Sequence, residues 1–140
     1  MLFFHLTTDS ALPEILRNGL EPRHSQSSLA AVFLAGSEAT AENYACMKDE
    51  PCTLLAIDLP DELLAHLQAD NYELPDLVVD LPEDQLVEHG LWAEASWSDC
   101  NWRQSLAICD QVACFAAIPS SCISVHVPEQ ADAVREAARG

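Results

Sequence analysis

The apolar runs of this chain are short, and glycine or proline closes nearly every one of them. Leu2-Phe3-Phe4 meets His5 at once, and Leu2–His5 reads as a short strand. Ala31–Leu34 stops at Gly36, Thr53–Leu59 at Pro60, Val112–Ile118 at Pro119 and Ile123–Val127 at Pro128. A membrane-spanning helix needs about 20 consecutive apolar residues, and no run comes near that length. Short, punctuated runs read instead as short strands, with Thr53–Leu59 the clearest buried one.

Helices fit between the strands. Ser10 is the expected N-cap of a first helix, with Pro13 in its first turn and Leu12, Ile15 and Leu16 on one face. Gly19 then stands where a left-handed residue ends a helix, Leu20 can fold back on Ile15, and Pro22 blocks continuation. Ser37 caps a second helix to about Met47, and Asp61 a short third one through Leu67. Leu77-Val78-Val79 reads as a strand, and residues 81–101, with Pro82 and Gly90, as an irregular excursion. A helical turn follows from Asp99 through Leu106, and a last helix opens at Pro128. The outcome is an α+β chain of many short strands, with most helices in its first half.

The chain has 140 residues, one domain over 1–140, and its 49% apolar and 21% charged residues are those of a globular protein. Its 23 acids against 6 bases give a formal charge of −17, and no Lys or Arg occurs between Asp49 and Trp102. Phosphate backbones and anionic lipids need the opposite charge, so nucleic-acid and membrane partners are not expected. The first residues lack a basic region and run directly into Thr7-Thr8-Asp9, so the expected protein starts at Met1 and stays in the cytoplasm. The six cysteines there face a reducing compartment, none forms C-x-x-C, and none has zinc spacing with His; no metal is expected. The same charge would also suit a high-salt habitat.

One ordered constellation carries chemistry. His5 and Thr7 follow the first apolar run, and a helix ends in Gly19-Leu20-Glu21-Pro22. Val32-Phe33-Leu34-Ala35 comes next, then a helix carrying Asn43-Tyr44, a buried strand, and Gln111 leading to Ile118-Pro119. In that order the pieces resemble ADP-ribosyltransferases of the diphtheria-toxin and poly-ADP-ribose-polymerase type. The H-x-T opening is similar to that of small bacterial transferases and RNA 2′-phosphotransferases. Residues 61–105 have no specific match.

The resemblance implies two small, mostly antiparallel sheets around an NAD cleft, with peripheral helices. It implies that His5 meets the adenosine ribose, the Leu6 backbone clasps the nicotinamide carboxamide, and Thr7 supports His5 or a ribose hydroxyl. Phe33 falls on an aromatic position of the second strand, Tyr44 stacks on the nicotinamide, and Gln111 stands at the family's glutamate. Arg23 could pair with the pyrophosphate, or balance Glu21 at the surface. Asp110 is adjacent to Gln111; strand alternation turns it the other way, and a register shifted by one residue would exchange their roles. The catalytic set is thus His5, Tyr44 and Gln111. Ala41 removes one carboxamide contact. The chemistry has its own logic: breaking the nicotinamide–ribose bond builds a cation at the sugar carbon, and a carboxylate stabilises it where a carboxamide brings no charge.

Three functions follow. The first is an NAD-binding protein that, if active, passes ADP-ribose to a protein, a small molecule or water. The second is an inactive acidic module on the same fold, immunity-like or inhibitor-like, for a basic protein partner. The third is an NAD-degrading hydrolase with Pro119-Ser120-Ser121 near its last strand, although the Arg such families carry near the start is absent.

Overall fold

The computed structural model describes residues 1–22, 31–47 and 49–126. Arg23, Val127 and the helix expected from Pro128 lie outside these. Six strands, β1 (Leu2–Thr8), β2 (Val32–Ala35), β3 (Cys52–Asp58), β4 (Leu67–Ala69), β5 (Gln111–Cys114) and β6 (Ile123–Val125), form one sheet. Their order is β4-β5-β2-β1-β3-β6, every neighbour antiparallel.

Where the sequence suggests two small sheets, there is one sheet whose halves barely join. β1 pairs with β3 along its whole length, from Leu2 opposite Asp58 to Thr8 opposite Cys52. β2 pairs with β5 along its whole length, from Val32 opposite Cys114 to Ala35 opposite Gln111. Between β1 and β2 the ladder is the one pair Phe4–Ala35. β1 runs three residues further than the sequence suggests, so His5 lies mid-strand rather than at its end.

Among the described residues the sheet is accompanied by six α-helices: α1 (Leu12–Asn18), α2 (Glu38–Glu42), α3 (Asp61–Leu64), α4 (Leu74–Asp80), α5 (Glu83–Glu88) and α6 (Trp102–Cys109). Three of them follow residue 70, which corrects the expected weighting to the first half. The apolar run Leu77–Val79, with two β-branched valines, belongs to α4 and is not a strand. Leu74 and Val78, one turn apart, are the buried pair that fixes it as a helix, against local strand propensity. The third helix stops at Leu64, because Leu67 and Ala69 bury one strand face against β5. The excursion at 81–101 includes the short helix α5.

Capping residues differ in the same local way. Ala11, not Ser10, is the N-cap of α1, and the Thr8 hydroxyl accepts the Ala11 N–H at 3.4 Å. Asn101, not Asp99, caps α6, exchanging bonds of 2.8 Å each way with Gln104. Asp99 instead closes a capping box with Ser96. Ser37 caps α2 as expected.

Gly19 ends α1 at a φ of 83°, its N–H reaching the Ile15 carbonyl at 2.8 Å. A Cβ there would lie 2.1 Å from the Ile118 carbonyl oxygen, so only glycine permits the close approach. Leu20 then pairs with Ile118 through two backbone bonds of 3.0 and 2.8 Å.

The main core lies on one sheet face, where Phe3, Leu34, Leu55, Ile57, Val112 and Ile118 are almost fully buried, with α1, α3 and α6 packed against them. The other face carries a smaller cluster, Phe4, Ala35 and Leu54 beneath Ala41 of α2. A third cluster joins α4 and α5 through Leu74, Val78, Leu86 and Leu91.

Candidate functional site

The register decides which side chains can meet. Phe4 lies opposite Ala35, and Ala35 lies opposite Gln111. Opposed residues share a face, so Phe4, Ala35 and Gln111 line up on the α2 side of the sheet, and Phe33 with them. His5 and Thr7 alternate to the Phe3 side. Gln111 is two strands from Phe4, about 10 Å at the usual strand spacing.

His5 occupies the seam where the β1–β2 ladder stops. Its Nδ1 lies 2.8 Å from the Phe33 carbonyl oxygen. The imidazole therefore ties β1 to β2 where no backbone pair does. Leu6 packs against the smaller cluster and Thr7 is buried at 5% exposure.

Tyr44 is carried in by α2, in the 3-10 turn Asn43–Met47 that continues it. Its hydroxyl donates to Glu73 Oε1 at 3.0 Å. Burial pushes the phenol well above its ordinary range; a hydrogen bond from the Gln111 side chain opposes this, and the Glu73 and Asp70 carboxylates reinforce it. The Gln111 side chain thus lies by the Tyr44 phenol, while His5 stands on the other face of the sheet.

Around Gln111 is a buried polar network. Gln111 is 2% exposed, and its Nε2 donates to Asp70 Oδ2 at 2.6 Å. Asp70 is fully buried, and its other oxygen accepts the backbone N–H of Tyr72 and of Glu73. The Asp70 N–H donates to Ser105 Oγ at 2.9 Å, and that hydroxyl donates to the Gln111 carbonyl at 2.7 Å. Asp70 thereby sets the turn into α4 and aims Glu73 at the phenol. Gln111 holds this network together, and its amide donor points inward to Asp70.

Asp110 does not share the site. It is the left-handed residue after α6, at φ 57°, and its Oδ2 accepts the Ser37 hydroxyl at 2.5 Å and the Thr40 hydroxyl at 2.8 Å. Its carbonyl accepts the Gly36 N–H at 2.9 Å. A Cβ on Gly36 would stand 2.3 Å from Asp110 Oδ1. Asp110 is therefore the anchor of the α2 N-terminus.

Phe33 lies beside Tyr72, ring centroids 6.4 Å apart, and Tyr72 is 57% exposed. Asp70, Tyr72 and Glu73 are the residues that sequence reasoning missed. They sit in the segment without a specific family match, and acidic residues in so acidic a chain give no local signal. A separate hollow of about 320 Å³ lies against β4, lined by Trp97, Trp102, Ser98 and Asn101 among others; it contains none of the expected ligand residues. Among the described residues no three His, Cys, Asp or Glu side chains gather to hold a metal ion, and no helix is long and apolar enough to cross a membrane.

The class defined by this fold is an α+β domain on a six-stranded antiparallel sheet with a seam between β1 and β2. No protein-family model matches the sequence, and the search of curated proteins gives no match.

Proposed function

We propose that this chain is an ADP-ribosyltransferase-like, cytoplasmic NAD-binding protein whose ligand lies across the β1–β2 seam. The observation that carries the reading is the single pair Phe4–Ala35, with His5 on one side of it and the Tyr44–Gln111 pair on the other. Among the described residues no further ladder pair joins β1 to β2, so a ligand lying along the gap can meet side chains from both faces.

The donor set suits the nicotinamide end of a dinucleotide. The half-buried Tyr44 ring and the Phe33–Tyr72 pair offer aromatic faces to a flat ring. His5 supplies a polar group for a ribose, and Glu73 supplies a carboxylate near the phenol. If active, the protein cleaves the nicotinamide bond and passes ADP-ribose to a protein or small-molecule hydroxyl, or to water.

Melting curves with and without NAD test the reading. Wild type should gain stability from NAD, by about 2.7 kcal/mol at a hundred times Kd. Tyr44→Ala should lose most of that gain, and no NAD-dependent gain in wild type would sink the proposal. The alternative is a catalytically inactive acidic module on the same fold, binding a basic protein. It is favoured by the buried carboxamide of Gln111 and by exposed Val79, Val87 and Trp92 among the acids of α4 and α5.

A further inference from the structure

We infer that Glu73 is the carboxylate of this site, doing from the start of α4 what position 111 cannot; the inference rests on the NAD-binding reading. Four observations lead to it. Gln111 is uncharged, 2% exposed and committed to Asp70, so it neither reaches a ligand nor stabilises a cation. Glu73 bonds the same phenol that Gln111 touches, at 3.0 Å, and is only half-buried. Among the described residues no second side chain holds its carboxylate. The buried Asp70 accepts the Glu73 N–H at 3.0 Å and fixes the backbone from which the side chain springs.

The division of labour is physical. A carboxylate facing the ribose carbon stabilises the positive charge that grows there as the bond to the nicotinamide nitrogen breaks. The bonding electron pair leaves with the nitrogen, cancelling the pyridinium charge. The oxygen of the acceptor, water or a hydroxyl, then bonds to the carbon. Its proton passes to Glu73 and on to solvent. Tyr44 positions Glu73 by donating to Oε1, and Gln111 positions Tyr44. The carboxylate thus comes from the segment of the chain that the family pattern leaves blank.

Glu73→Gln tests this, because glutamine keeps an oxygen to accept from Tyr44 and removes only the charge. The expected result is an NAD-induced rise in melting temperature close to wild type, with nicotinamide release lowered about a hundred-fold. Glu73→Asp, which keeps the charge but withdraws it, should recover part of the release. Asp76→Asn, an exposed acid on the same helix, should release at the wild-type rate. A spectroscopic titration of tyrosine gives a reading independent of turnover: removing the charge at 73 should lower the Tyr44 pKa. Melting curves without ligand show whether each variant folds. Release at the wild-type rate by Glu73→Gln overturns the inference and leaves the NAD reading standing. So does a wild type that binds NAD yet releases no nicotinamide. A wild type that gains nothing from NAD overturns the reading and the inference with it.

Discussion

At the scale of single residues, protons are held unusually tightly. Burial pushes the Cys109 thiol up to about 11, and raises the Cys114 thiol and the Tyr44 phenol as well. In each case the charged form is the one that burial penalises, so the folded chain keeps a proton that the unfolded chain gives up. Below about pH 8.5, the ordinary thiol value, both states are protonated and these groups contribute no pH dependence. Above it the unfolded state binds fewer protons than the folded one, and stability falls as pH rises toward about 11. Thermal melts from neutral to alkaline pH should show the midpoint dropping across that window. Cys109→Ala, which removes the largest resolved thiol shift, should flatten the drop. A midpoint constant through pH 10 would mean that these groups are wetter in solution than their packing indicates.

At the scale of elements, α2 is held at its entrance by a residue far away in sequence. Asp110 accepts from Ser37 and Thr40, and its left-handed backbone lets its carbonyl reach Gly36. Asp110→Ala removes a charged acceptor from two hydroxyls and puts alanine in a backbone region it avoids, at a cost of about 2–3 kcal/mol. Asp110→Asn tolerates that backbone and keeps an acceptor, so urea melts should show it losing less than half as much. Because α2 leads into the turn that carries Tyr44, the proposed NAD binding should weaken in the same order. This anchor also marks the limit of what the sequence could reveal. Ser37 was legible as a cap because its signal is local, as were Gly19 and the β1, β2 and β3 runs. Tyr44 and Gln111 were singled out by the family resemblance and not by a local signal. Asp110 looked like a strand residue one step out of register, since nothing local says that α6 ends in a left-handed turn there. Leu77–Val79 looked like a strand because propensity favoured it, and only the packing of Leu74 and Val78 against the rest of the fold makes it helix. Asp70 and Glu73 were invisible for a further reason: their meaning lies in partners 41 and 29 residues away.

At the scale of the whole molecule, the charge of −17 governs both stability and choice of ligand. Arg17 and Arg103 are the only Lys or Arg among the described residues, so the described surface is a nearly unbroken negative field. Such a field repels itself most in the compact state, and salt relieves the repulsion. The screening length shrinks from about 30 Å at 0.01 M to about 3 Å at 1 M, a span that covers most separations in a domain this size. The melting temperature should therefore rise with sodium chloride over that range; a fall would mean that attractive charge pairs outweigh the net repulsion. The same field acts with opposite sign on the two classes of partner. A dinucleotide brings two phosphate charges toward an acidic surface, so its affinity should hold or strengthen as salt screens the approach. A basic protein is drawn in by that surface, so its binding should collapse over the same range. Titrating wild type with NAD and with a basic protein at low and high salt separates the two readings by the sign of the slope. An NAD affinity that collapses with salt would locate the phosphates against a concentrated basic patch, which the described surface does not offer.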